Sequence, residues 1–175
     1  TIHLAPDESY ALQADGSWAV TTQYSPGYPN TFEGYQAYLG ATVVAQGALV
    51  ISEICPDPLT GYRDADGELC DWIELYNTTD QPISLDNYAL SDREDRPLKW
   101  RFPAGAVVAP RGYYIIYCSG KEVESGPTDV PHANFRISAE HDTIVLSDSR
   151  GRLVDRVTID NIPEDCSYGR NGDGS

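Results

Sequence analysis

Four carboxylates fall within eight residues of the sequence: Asp64, Asp66, Glu68 and Asp71, with Gly67 supplying a turn between them. Hard cations such as calcium take six to eight oxygen ligands at about 2.3–2.6 Å, and an Asp-x-Asp-Gly start resembles the opening of a calcium loop. The third aspartate and the distal bidentate glutamate of such a loop are missing. The competing reading is a solvated hairpin tip, acidic because the whole surface is acidic. No other cofactor is implied.

Acyl-transfer chemistry would need a Ser or Cys nucleophile beside a histidine oriented by an acid. The chain has three histidines, His3, His132 and His141, each in or beside a predicted loop. No nucleophile elbow, phosphate-binding glycine loop, H-E-x-x-H pair or dinucleotide fingerprint occurs. The sequence therefore predicts no catalytic residues. Tyr24, Tyr28, Tyr35 and Tyr38 form a second cluster that could stack on sugar faces; the alternative is that their rings staple a connector while their hydroxyls reach water.

The elements that must position these groups are short strands. The 175 residues are 41% hydrophobic and 22% charged, with 12 Lys and Arg against 27 Asp and Glu, a net charge of −15. That is enough apolar material for one core. The charge argues against phosphate-backbone or anionic-membrane binding, and no run approaches the ~20 apolar residues of a spanning helix. Helical periodicity is almost absent. Short apolar runs bounded by Gly, Pro, Asn and Asp predict an all-β sandwich or barrel of eight to nine strands at 48–54, 71–77, 82–91, 98–102, 106–109, 112–118, 134–138, 142–147 and 152–159. Alternation turns Ile73 and Leu75 inward and sets Leu98, Trp100 and Phe102 on one face. Both faces of 112–118 are apolar, which predicts a central strand. Asp155 shares a face with Leu153, Val157 and Ile159, so its carboxylate must find backbone donors or water. Asp148-Ser149-Arg150-Gly151 reads as a hairpin loop.

Cys55, Cys70, Cys118 and Cys166 contain no C-x-x-C pair, which disfavours a zinc ribbon or a thioredoxin-type site. Two disulfides in any of three pairings, or four separate thiols, remain open; Cys55–Cys70, closing the loop between two strands, is the favoured bridge. Asn77-Thr78-Thr79 fits a glycosylation sequon. The composition suits an extracellular or cell-surface protein.

Residues 9–17 (SYALQADGS) and 167–175 (SYGRNGDGS) agree at Ser, Tyr, Asp, Gly and Ser, and a Thr-Ile pair precedes each, Thr1-Ile2 and Thr158-Ile159. The chain thus reads as a fragment of a tandem array. Residues 18–46 show no strong strand alternation and read as an irregular connector with aromatic anchors.

The ordered series LVISEI (49–54), DWIELYN (71–77), ISLDNYALSD (83–92), KWRFPAG (99–105), GYYIIYCSGK (112–121), HANFRIS (132–138), DTIVLSDSRGRLVDRVTI (142–159) and SYGR (167–170) resembles a lamin tail domain, in its secreted bacterial branch. DGSW (15–18) and PGYPN (26–30) resemble the ending of a preceding copy. The resemblance implies an immunoglobulin-like sandwich at 47–175, the end of an earlier module at 1–30 and a connector at 31–46. It contributes no catalytic residues, and it implies further domains in the parent chain, such as a spore-coat-protein-H-type kinase or a secreted hydrolase. The function it points to is a non-catalytic interaction or spacer module whose partner is a protein or a cell-surface glycan. The alternative is a carbohydrate-binding accessory module of a larger enzyme. Residues 1–17, without their own domain, would hang free, lie along a sheet edge or pair with a neighbouring molecule.

Overall fold

A computed structural model describes residues 3–4, 8–22, 25, 27–35, 47–61, 63–121, 126 and 129–170. The chain divides into two compact units, residues 1–43 and 44–175.

In the first unit β1 (Ser9–Leu12) and β2 (Trp18–Thr21) form an antiparallel hairpin, pairing Tyr10 with Val20 and Leu12 with Trp18. The turn is closed by Asp15, whose Oδ1 accepts the Ser17 N–H at 2.9 Å, and by Gly16 at φ 83°. The strand at 18–21 stands where the sequence suggested irregular connector. One helical turn follows at 32–35, begun by Thr31, whose Oγ1 accepts the Gly34 N–H at 3.0 Å. A Cβ at Gly34 would lie 1.9 Å from the Pro29 carbonyl oxygen, so the turn admits no side chain there.

The second unit contains β3 (Leu49–Cys55), β4 (Asp71–Asn77), β5 (Ile83–Ser84), β6 (Tyr88–Ser91), β7 (Trp100–Arg101), β8 (Val107–Val108), β9 (Tyr113–Cys118), β10 (His141–Asp148), β11 (Leu153–Asp160) and β12 (Tyr168–Gly169). One sheet has the order β11-β10-β6-β7 and the other β12-β3-β4-β9, with β5 and β8 paired separately. The sheets share one core. Ile51, Ile54, Ile73, Leu75 and Ile116 come from one, and Leu90, Ile144, Leu146, Val157 and Ile159 from the other. The alternation of DWIELYN does what it predicts: Ile73 and Leu75 have no exposed surface.

Four expectations are corrected. The 134–138 segment is not a strand. Ala133, Phe135 and Ile137 are buried in alternation, but the carbonyls of Ala133 and Phe135 both accept the Gly120 N–H, at 3.1 Å, and the Ile137 N–H donates to Asp71 Oδ2 at 2.8 Å. Period-two burial here reports an extended chain, not a ladder. Second, β9 is an edge strand of its sheet rather than a central one. Its outward side chains are Tyr113, Ile115 and Tyr117; Tyr113 stands largely exposed, while Tyr117 is buried where the 131–133 segment bridges to the strand. Third, Leu153 is half exposed because a bulge opposite Leu146 and Ser147 shifts the phase, so that Val154 packs on the core instead. Fourth, Cys55 and Cys70 are not bridged, and all four cysteines are free thiols. The Cys55 Sγ lies 3.5 Å from the Cys166 carbonyl and the Cys70 Sγ 3.6 Å from Asp64 Oδ2, so the two thiols face different neighbours.

Candidate functional site

The acidic loop lies between β3 and β4. Asp64 organises it. Its Oδ1 accepts the N–H of Asp66 at 3.0 Å and of Glu68 at 2.8 Å, while Gly67, at φ 78°, returns its N–H to the Asp64 carbonyl. Three of the four carboxylates singled out from the sequence converge on one cation supplied by the chain itself. Lys121 Nζ lies 2.9 Å from Asp64, 3.0 Å from Asp66 and 2.8 Å from Glu68. Asp71, the fourth, points elsewhere and accepts the N–H groups of Asp57 and Ile137. Sequence reading missed Lys121 because it lies 50 residues or more from the loop and carries no local signal.

The electrostatics follow from this geometry. Hydrogen bonding to Lys121 and to the Glu68 backbone holds the Asp64 carboxyl down at about 2, and the three carboxylates hold the Lys121 ammonium well above the ordinary lysine value. A carboxylate whose folded pKa is lowered stabilises the fold fully above its unfolded value of about 3.9, and the contribution fades as pH falls through about 2. Lys121→Met leaves three carboxylates facing one another, and protonation then relieves repulsion instead of breaking a bond. The loss of melting temperature between pH 7 and pH 2.5 is therefore expected to be smaller in Lys121→Met than in the unmodified protein; an equal loss would show that the cluster contributes nothing to acid sensitivity.

Beside this cluster Ser119 Oγ and His132 Nδ1 lie 2.9 Å apart, the Ser119 hydroxyl also accepting the Lys121 N–H at 3.2 Å. Ser119 is buried, and the adjoining hollow of about 50 Å³, lined in part by Cys70, Cys118 and Arg136, falls far short of the ~300 Å³ at which substrate pockets begin. The pair joins the end of β9 to the segment before Ala133. Burial pushes the Cys55 and Cys70 thiols up to about 11 and raises that of Cys118 as well, so these sulfurs stay protonated and weakly nucleophilic at neutral pH. Among the described residues no group of three or more His, Cys, Asp or Glu side chains is arranged to hold a metal ion. The His141 imidazole is held above its usual value by Asp160, 2.5 Å away, in an exposed pair.

Of the four tyrosines named as a stacking platform, Tyr28 is exposed and Tyr35 half-buried, while Tyr24 and Tyr38 lie outside the described residues. Two other aromatic pairs stand on the surface. Tyr10 stacks on Trp18 at 5.3 Å, and Tyr76 stacks on Tyr113 at 4.7 Å across the β4–β9 pair. Both Tyr76 and Tyr113 lie out of phase with the buried positions of their strands, which was the signal available in the sequence.

Two antiparallel sheets over a single core define an immunoglobulin-like β-sandwich. The lamin tail domain family profile matches residues 42–161, and the chain belongs to that family. No curated protein sequence matches the chain.

Proposed function

We propose that the chain is a non-catalytic extracellular module that binds a protein partner or spaces other domains, within a polypeptide carrying lamin tail domains in tandem. The repeated nine-residue pattern carries this reading: its Ser-Tyr begins β1 in the first copy and its Tyr lies in β12 in the second, and the Asp-Gly-Ser of the sequence follows in both. Family membership supports an interaction role, and the acidic composition supports a secreted setting. The Tyr76–Tyr113 stack, half-buried at Tyr76 and exposed at Tyr113, favours one second reading, a carbohydrate-binding accessory module, because flat rings suit sugar faces. Of the calcium candidates, Asp64, Asp66 and Glu68 could gather around a calcium ion only if it displaced the Lys121 ammonium, and Asp71 is committed elsewhere.

The purified chain is expected to leave a glycan array blank and to hydrolyse p-nitrophenyl acetate no faster than its Ser119→Ala variant. Saturable glycan binding abolished by Tyr113→Ala would establish the second reading. A clear rate loss in Ser119→Ala would overturn the non-catalytic one.

A further inference from the structure

The two copies of the repeated pattern show two halves of one arrangement. β12 is seated on the edge of β3, with Tyr168 opposite Ile54 and Gly169 opposite Glu53; the Arg170 N–H donates to the Ser52 carbonyl at 2.8 Å, and Ser167 Oγ donates to Glu53. β1 carries the same residues in its Ser9 and Tyr10 but is paired as a strand only to β2 among the described residues. Among the described residues no strand lies on its other edge, where the Asn30 side-chain amide donates to the Leu12 carbonyl at 3.0 Å and the Leu12 N–H, the counterpart of the one Arg170 uses on β3, has no backbone partner. The hairpin also presents an uncovered apolar face: Tyr10, Leu12, Trp18 and Val20 lie on one side and are exposed by 41%, 44%, 55% and 46%. An isolated two-stranded hairpin is at best marginally stable, and its apolar face calls for a third strand and a cover.

We infer that the β1–β2 hairpin is a docking element that closes the β3 edge of another lamin tail module, occupying there the place that β12 occupies in this one. The inference rests on the tandem reading proposed above. The repeat alignment fixes the seating: Tyr10 falls where Tyr168 falls, and Leu12 falls where Arg170 falls. That last replacement identifies the partner. Arg170 forms an ion pair with Asp155 at 2.8 Å, and Asp155 also accepts the Ile51 N–H at 2.8 Å. Leu12 in that position would leave the largely buried Asp155 carboxylate without its guanidinium, which is costly. The hairpin therefore suits a module with an apolar residue at the position of Asp155, and it discriminates against a second copy of this chain.

The test uses the full chain and a labelled peptide spanning residues 8–22. Because β12 itself holds the β3 edge, both test chains carry Tyr168→Pro, which removes an N–H from that pairing; the peptide is expected to bind the chain that also carries Asp155→Leu/Arg170→Leu at least roughly tenfold more tightly than the chain with Tyr168→Pro alone. It is also expected to slow amide exchange at Ile54, and a Tyr10→Pro peptide, which cannot pair as a strand, is expected not to bind. Equal binding to both chains, no binding to either, or binding without protection of Ile54 overturns the proposal. A cooperative melt of both chains shows that the comparison concerns folded protein; if it is lost with Asp155→Leu, Asp155→Asn, which removes the charge at nearly constant shape, takes its place and the same outcomes decide. Failure of the tandem reading looks different: the peptide binds as expected, but the parent polypeptide carries a single lamin tail module.

Discussion

Asn77→Ala is expected to destabilise the second unit by about 3 kcal/mol, because buried carbonyl groups left without a donor cost about 1–3 kcal/mol each and partly relax. Asn77 has no exposed surface. Its Nδ2 donates to the carbonyls of Gln81 at 2.7 Å, Ala109 at 3.0 Å and Val108 at 3.2 Å, and its Oδ1 accepts the N–H and hydroxyl of Thr79 at 2.9 and 2.8 Å. One side chain thus ties the end of β4 to the turn that follows it and to the end of β8. At about 2–8 °C per kcal/mol for domains of this size, the melting temperature should fall by on the order of 10 °C. Asn77→Asp keeps the acceptor and removes the donors, setting an oxygen against three carbonyls, so it should cost at least as much. A fall below about 1 kcal/mol in either variant would show that the network relaxes around the loss. The same geometry answers the sequon: the Asn77 amide is committed to three carbonyls inside the fold, and the Asn-Thr-Thr triplet is a structural corner, not an exposed acceptor.

What could be read from the sequence and what could not divide along physical lines. DWIELYN declared β4 because both its burial phase and its boundaries are local properties: alternation, an aspartate at its first position and an Asn-Thr-Thr corner at its end. Asp155 was also legible. A carboxylate in phase with Val157 and Ile159 had to find donors, and it found the Ile51 N–H and Arg170. The 112–118 segment shows the limit. Apolar residues on both faces fit a strand covered on both sides, but also an edge strand whose outer face carries tyrosines, and nothing within seven residues decides between them. The 134–138 segment shows another. A buried extended chain and a ladder strand have the same period, and only the location of its hydrogen-bond partners, Asp71 and Gly120, separates them.

The site was less legible than the fold for a related reason. The acidic loop announced four oxygens at the right spacing to gather around a cation, and three of them do gather around one. The cation is an ammonium from just beyond the C-terminal end of β9, so its identity depended on a tertiary contact. The Ser119–His132 contact is likewise made by two residues 13 apart with no helical or strand spacing linking them. Repetition within the chain was the one long-range relation that the sequence could state by itself, and the pairing of β12 with β3 gives it a physical content: a strand with a seat on β3 in one copy and, among the described residues, only its hairpin partner in the other.

The other large effect is expected at the centre of the sandwich. Ile73 pairs with Ile54 on one side and Ile116 on the other, and all three are fully buried. Ile73→Ala removes three carbons from a place bounded by neighbouring strands, where collapse is limited because β3 and β9 are fixed to β4 by their own ladders. Such truncations cost about 2–5 kcal/mol, and this one belongs in the upper half of that range; Ile73→Val, one methyl group smaller, should cost about 0.5–1.5 kcal/mol. Denaturant titration checks the series. The slope of the transition should stay unchanged while its midpoint falls, because the surface exposed on unfolding is nearly the same in all three proteins. A cost for Ile73→Ala no larger than for Ile73→Val would mean that the two sheets can close on the vacancy. The inner faces would then slide where the ladders say they are fixed, and the rigid β3 edge on which β12 is seated would lose its support.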